Sequence, residues 1–241
     1  MSKNPRFSIV IPALDEEKYL GRLLESLKLQ TCGDYEIIVI DSYSRDKTVT
    51  IARKYGTRIL YSKKGNIAKA KNTGIKAARG KIIAFIDADM VLSRTVLSAV
   101  DAVFSETKGK VVGIEPVQKL NKDDVSEGKV GLFEFVAKLV WLNKVLSFRT
   151  KMPVATGCVF CAANAVAKAG FFNERLLVSE DRDYYHRLSK YGKFVIIKDY
   201  ALVSFRRQEK EGLLKPALQY YKSDISSFLF KRVKKGMKLV R

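Results

Sequence analysis

The sequence predicts an α/β fold: a mainly parallel central sheet flanked by helices. Short β-branched runs alternate with helical periodicities through the first hundred residues, the links between them are short, and acids recur just after the strand-like runs. Strand–helix alternation with short links marks a parallel sheet covered on both faces.

Residues 7–11 form a continuous apolar, β-branched run, as expected of a buried strand. Asp15, Glu16 and Glu17 follow and put negative charge at a helix start, while Tyr19, Leu20, Leu23, Leu24 and Leu27 recur at helical spacing. A second strand is expected over 35–40, then a Ser/Asp-rich turn over 41–46 and a helix over 48–55. A third strand spans 57–61, and a helix over 67–79 is closed by Gly80 at its C′ position. A fourth strand over 81–86 ends at Asp87-Ala88-Asp89. The helix over 94–106 carries Val96, Leu97, Val100, Val103 and Phe104 on its apolar side. In parallel sheets ligands bind beyond the carboxyl ends of the strands. Asp15, Asp41, Asp87 and Asp89 would all line that edge.

The second half is less regular. Strands are expected over 111–118, 154–162, 194–197 and 201–205, with a polar loop over 119–129 and a helix over 181–191 ended by Gly192. Residues 130–148 are apolar around much of a helix but interrupted by Glu134, Lys138, Asn143 and Lys144, which argues against a membrane span. Core helix and exposed interfacial helix remain equal alternatives there. No repeat or linker divides the chain. The expectation is one domain over 1–208 and a C-terminal extension over 209–241, amphipathic at 213–230 and basic at 231–241.

Composition narrows the function classes. With 241 residues, 47% hydrophobic, the chain can bury a substantial core, which excludes global disorder. Three cysteines cannot staple a chain of this length and fit a reducing, cytoplasmic compartment. The first residues are too polar for a secretory signal, and no uncharged apolar run reaches the ~18 residues of a membrane span. A net charge of +20 calls for an anionic partner. Because 231–241 carries six basic groups and no acid after an amphipathic stretch, an anionic membrane surface is preferred to nucleic acid, with a solvated tail as the plain alternative.

Asp87 and Asp89 stand at i and i+2 after a strand, so both carboxylates face one side. Two hard oxygen donors at a strand tip suit Mg²⁺ or Mn²⁺, which take the rest of their shell from water and phosphates. In Ser179-Glu180-Asp181-Arg182-Asp183 a carboxylate is available as general base, although capping alone accounts for the segment. In the helix after Gly65, small residues including Ala70 and Gly74 permit close helix–sheet packing and Lys71 can reach a phosphate. Cys158 and Cys161 have redox spacing but lie in an apolar strand, and with one histidine, His186, a zinc site lacks ligands. No Gly-x-Gly-x-x-Gly or Walker-type loop is present, which removes the main support for dinucleotide and P-loop enzymes.

Taken in order, Ser8-Ile-Val-Ile-Pro-Ala-Leu-Asp-Glu-Glu17, Val39-Ile-Asp-Ser-Tyr-Ser-Arg-Asp-Lys-Thr48, Ala70-Lys-Asn-Thr-Gly74, Asp87-Ala-Asp89 and Gly170-Phe-Phe-Asn-Glu174 leading into Glu180-Asp181 resemble the family 2 glycosyltransferases of GT-A fold. The resemblance covers about 7–208. It implies a Rossmann-like sheet and inverting, metal-dependent transfer of a sugar from a nucleotide-diphosphate donor to a saccharide or lipid-linked acceptor. It implies that Pro12, Ala13 and Glu16 border the nucleotide and that Asp41 meets the base or ribose. By the same resemblance Lys71 stands where the family often has Arg, Asp87 would lie on the ribose–metal side, Asp89 would ligate Mg²⁺ or Mn²⁺, and Asp181 would be the catalytic base. In Ser204-Phe-Arg-Arg207, Arg206 or Arg207 is placed to meet the diphosphate, with surface charge as the alternative. Ser42 replaces a second acid often seen after Asp41, so the resemblance leaves the base of the donor open. The Gln-x-x-Arg-Trp element of processive synthases is absent, so single-sugar transfer is expected. The rival readings are a nucleotidyltransferase, which would need a Gly-rich loop that 12–17 lacks, a basic nucleic-acid-binding protein, and a non-catalytic lectin-like relative.

Overall fold

The computed structural model describes residues 4–149, 153, 157–176, 178–206, 210 and 212. Its first half follows the expected alternation: β1 (Phe7–Ala13), α1 (Leu20–Lys28), β2 (Tyr35–Asp41), α2 (Thr48–Lys54), β3 (Arg58–Tyr61), α3 (Ile67–Ala77) and β4 (Ile82–Ile86). Then come β5 (Val91–Leu92), α4 (Val96–Glu106), β6 (Val111–Leu120), α5 (Val130–Arg149), β7 (Cys158–Ala162), α6 (Ala163–Ala169), α7 (Glu180–Leu188) and β8 (Lys193–Val203). The eight strands form one sheet in the order β3-β2-β1-β4-β7-β6-β8-β5.

β1 runs parallel to β2 and β4, and β2 to β3. β7 enters antiparallel between β4 and β6, β6 and β8 run parallel, and β5 closes the edge antiparallel to β8. The sheet is therefore mainly parallel, with reversals confined to its second half. Strand direction leaves no mark on an apolar run, so the reversal at β7 was not visible in composition.

Alternation along β1 sorts the core. Phe7, Ile9 and Ile11 pack with Leu20, Leu23, Leu24 and Leu27 of α1 and Val96, Leu97 and Val100 of α4. Val10 points to the other face, with Ala68 and Ala70 of α3, Val166 of α6 and Tyr184, Tyr185 and Leu188 of α7. That period of two on a sheet covered on both sides is what the buried run of β1 requires. Cys158 and Cys161 fall on opposite faces of β7, both free, which rules out a disulfide between them.

Several local expectations change. α1 starts at Leu20 with no acid in its first turn; the Glu16 carbonyl instead accepts from the Tyr19 and Leu20 amides. Gly80 is not a C′ residue. α3 ends at Ala77 and Ala78 is already extended, while a Cβ on Gly80 would lie 2.5 Å from the Ser8 backbone nitrogen. The Gly80 amide donates to Ser8 Oγ at 2.8 Å, so close approach of two backbones selects this glycine. Gly74 does the same for α3 on β1: its Cβ would lie 2.2 Å from Val10 Cγ1. The two strands expected over 194–205 are one, β8, whose pairing with β6 shifts register between Pro116 and Val117, so that Ile197 and Tyr200 face consecutive partners. That irregularity interrupts the apolar pattern. α7 begins at Glu180, one residue earlier than expected, and continues through a 3₁₀ turn, Ser189–Tyr191, up to Gly192. The short α6 was not anticipated, because seven residues, four of them alanine, give no periodic signal. The start of the strand expected from 154 and the extension 209–241, Lys210 and Gly212 apart, lie outside the described residues. Among the described residues no helix is long and apolar enough to cross a membrane.

Candidate active site

The parallel strands bring three chain segments to one edge. Ala13, the last residue of β1, lies beside Asp41, the last of β2, and the Ser42 amide donates to the Ala13 carbonyl at 2.9 Å. β4 ends next to these at Ile86, followed at once by Asp87 and Asp89. Because β7 runs antiparallel, its first residue, Cys158, pairs with Ile86, so the segment before β7 reaches the same edge. There the Asp87 amide donates to the Gly157 carbonyl at 2.7 Å. Gly157 has φ +77°, a turn that a side chain would strain.

Two charge clusters meet at Asp87. On one side the Arg206 guanidinium donates from Nη1 and Nη2 to the two carboxylate oxygens of Glu16, both at 2.7 Å. Its Nε lies 3.2 Å from Asp89 Oδ2, and the group stands 4.2 Å over the Tyr19 ring. Burial, then the neighbouring Asp87 and Glu16, pushes the Asp89 carboxyl up to about 7 against the pull of Arg206.

On the other side, α7 opens after Ser179, which sits at φ +61° and aims Glu180 and Asp181 back at the sheet. Lys71 of α3, buried, donates from Nζ to Asp181 Oδ1 at 2.5 Å and lies 3.7 Å from Glu180 Oε1. Burial alone would lower the Lys71 pKa, but Asp181, Glu180 and Asp87 outweigh it and raise it. The Glu180 carboxyl is pushed up to about 7 by burial and by Asp181, with Lys71 opposing. Neighbouring Asn72 fixes the approach: its side-chain amide donates to the Phe172 carbonyl and Glu174, and its oxygen accepts the Phe172 amide at 2.8 Å.

Asp41 is buried and turned onto its own loop, accepting from the Ser44 amide at 3.1 Å and Ser44 Oγ at 2.5 Å. The loop passes through Tyr43 at φ +61°. The ring of Tyr43 stacks on Tyr61 from β3 at 5.6 Å, and both border an open cavity of about 580 Å³ with Lys63, Lys64, Lys69 and Thr73. Asp15 is held on the rim by the Arg45 amide at 2.8 Å.

A third polar group backs the centre. Lys144 of α5, buried, donates to Glu115 Oε1 at 2.7 Å and Gln118 Oε1 at 2.8 Å, both on β6. Gln118 Nε2 would stand 3.5 Å from a Cβ on Gly157, so this group borders the Asp87 turn. Burial, then Glu115 and Asp87, pushes the Cys158 thiol well up, which makes it inert.

The structure thus draws Glu16, Lys71, Asp87, Asp89 and Asp181 of the sequence-predicted set into one continuous run, over the buried Pro12 and Ala13. It sets Asp41 at the neighbouring strand end and shows Arg206 among the carboxylates; Arg207 lies outside the described residues. Sequence reading missed the Lys71–Asp181 pair, the Tyr43–Tyr61 stack and the Glu115–Gln118–Lys144 group. Lys144 was visible only as one of several polar residues interrupting an apolar helix, with nothing to mark it from Glu134 or Lys138. Among the described residues no three His, Cys, Asp or Glu side chains form a metal cage. The donor set nonetheless fits a divalent cation of the Mg²⁺ or Mn²⁺ kind. Those ions need only one or two carboxylates when phosphate and water complete the shell, and Asp89 is a buried carboxyl raised by burial and by its neighbour Asp87.

The sequence profile described as Glycosyl transferase family 2 matches residues 8–162. Over 114 residues the chain is 32% identical to the uncharacterized glycosyltransferase EpsJ of Bacillus subtilis (strain 168), a match spanning 45% of this chain and 33% of that protein. It is 30% identical over 220 residues to a poly(ribitol-phosphate) beta-glucosyltransferase of Bacillus spizizenii, spanning 80% of this chain and 34% of that protein. The chain therefore spans about a third of the length of these curated relatives. The mannosyltransferase PcManGT from Pyrobaculum calidifontis, solved in complex with GDP-Man and Mn²⁺, shares the fold at a TM-score of 0.66 and 17% identity, over 98% of this chain and 67% of that one.

Proposed function

The chain belongs to glycosyl transferase family 2 and has the GT-A fold, and on that premise we propose that it transfers a single sugar, with inversion, from a nucleotide-diphosphate sugar to an acceptor hydroxyl or a lipid-linked phosphate. The observation that carries the reading is the unbroken run of charge from Glu16 and Arg206 through Asp89 and Asp87 to Lys71 and Asp181. One end of it suits a pyrophosphate and the other a reacting hydroxyl.

In this reading Pro12 and Ala13 floor the nucleotide site, Asp41 contacts the ribose or base, and the Tyr43–Tyr61 stack borders the base. Asp87 and Asp89 would hold Mg²⁺ or Mn²⁺, as the Mn²⁺ complex of PcManGT suggests for a shared fold. When bound, that cation neutralises the charge gathering on the departing diphosphate. Arg206, 3.2 Å from Asp89, is placed to meet the same phosphates, the role expected of it or Arg207. Asp181 takes the proton of the acceptor hydroxyl while its oxygen bonds to the anomeric carbon from the face opposite the diphosphate. The bond from that carbon to the diphosphate oxygen breaks, its electron pair leaves with the nucleotide diphosphate, and configuration inverts. Lys71 is a positioning residue: its ammonium donates to Asp181 Oδ1 and fixes that carboxylate in place. The cytoplasmic location, at the inner face of a membrane, belongs to the same proposal.

Calorimetric titration with a panel of sugar nucleotides and Mn²⁺ tests it. At least one donor should bind, and Asp89→Ala or a chelator should weaken binding at least about tenfold. A panel without any binder, or undiminished binding in both treatments, would contradict the assignment.

A further inference from the structure

α5 is apolar on two sides. Its inner side packs on β6 and β8: Phe133 is buried against Phe205, Phe148 meets Phe194, and Lys144 reaches Glu115. Its outer side carries Leu132, Phe135, Leu139, Leu142 and Leu146, which are 53%, 59%, 51%, 50% and 51% exposed. Their spacing of three and four residues aligns them along one face of a 20-residue helix, about 21 Å of apolar surface. A helix apolar all round is ordinarily buried all round, and an exposed stripe of this length marks a contact surface.

Charge identifies the contact. Beyond Glu134 the chain has no acid until Glu174, while Lys138, Arg149, Lys151 and Lys168 fall in between, besides Lys144, which turns inward to Glu115. Lys138 is exposed beside the stripe. A second copy of the chain would bring +20 against +20, and a stripe of five side chains falls short of the roughly 20–30 residues a side in a stable dimer interface. The chain's own segment 213–241 is itself basic, with seven Lys and Arg more than Asp and Glu. An anionic bilayer satisfies both features, taking leucine and phenylalanine below its headgroups and lysine among them.

We infer that the outer face of α5 lies on an anionic lipid surface. The same helix delivers Lys144 to Glu115 and Gln118 beside the Asp87 turn, so the surface contact and the site are joined through one rigid element. Resting on the function proposed above, this makes the acceptor a lipid-linked one, presented from the membrane on which the protein sits.

Flotation of the full chain with phosphatidylglycerol–phosphatidylcholine vesicles, against phosphatidylcholine vesicles, is the test. Wild type should float with the anionic vesicles, and Leu139→Gln/Leu142→Gln should float at least about tenfold less, with unchanged melting temperature. Phe135→Ser/Leu146→Gln, on the same stripe, should repeat the loss if the first variant folds poorly. Stripe variants that float like wild type would overturn the inference, as would a wild-type dimer that the substitutions split while neither form floats. Donor binding, titrated on the same samples, reports on the proposed function separately: a chain that floats but binds no sugar nucleotide sinks that function and leaves the lipid surface standing.

Discussion

Asp181 and Glu180 are consecutive residues with opposite fates. Asp181 is held by Lys71 at 2.5 Å, whereas Glu180, 3.7 Å from the same ammonium, is raised to about 7 by burial and by Asp181. Asp181→Asn should leave the donor dissociation constant unchanged and lower transfer by about 10²–10⁴, read as nucleotide diphosphate released with acceptor present. Glu180 predicts a pH effect on stability. Its carboxyl titrates near 7 in the fold against an ordinary 4.5, so between those values the folded chain holds a proton that the unfolded chain gives up. Its contribution is therefore fullest below pH 4.5 and is lost as pH rises through 7. Glu180→Gln should melt roughly 2–4 °C above wild type at pH 8, about 1 kcal/mol, and close to it at pH 5. Asp15, Asp41, Asp87 and Asp89 were legible in sequence because each stands at or just after a strand end, whereas Asp181 opens a helix and was reached only through the order of the motifs. Its partner was not legible: Lys71 and Asp181 are 110 residues apart, and only the fold makes them neighbours.

Among the elements, α3 and β1 show how two glycines set a spacing. A methyl at Gly74 would stand 2.2 Å from Val10 Cγ1. Gly74→Ala should destabilise by about 1–3 kcal/mol in urea unfolding. Val10→Ala removes both clashing methyls, so the double variant should lose less than the sum of the two single ones. Equal losses would mean that α3 shifts off the sheet at little cost. The elements of the first half were readable because helical and strand periods alternate cleanly there. Later elements were less so. The interruption in β8 split one strand into two, α6 is too short and alanine-rich to show a period, and the outer face of α5 imitates a core.

At the scale of the whole molecule, Arg206 fastens the segment after β8 to the loop after β1 by a two-point ion pair with Glu16 and a contact to Asp89. Arg206→Gln leaves Glu16 and Asp89 without that cation. The metal-free variant should melt about 5 °C lower, on the order of 2 kcal/mol, and Mn²⁺ should raise its melting temperature more than that of wild type. An equal response to Mn²⁺ in both proteins would separate the arginine from the ion site. The order of motifs along the chain pointed to the GT-A fold and its carboxylates, but the clamp itself follows from no local pattern. The sequence offered Arg206 and Arg207 alike for such a role, and the structure shows Arg206 in the clamp.

The clamp also orders events during synthesis. Its two halves lie 190 residues apart, so a ribosome adding about 5–20 residues per second delivers Arg206 roughly 10–40 s after Glu16. Until then a nascent chain carries Glu16 and Asp89 without the guanidinium that joins them, so this tie is among the last contacts of the described fold to form.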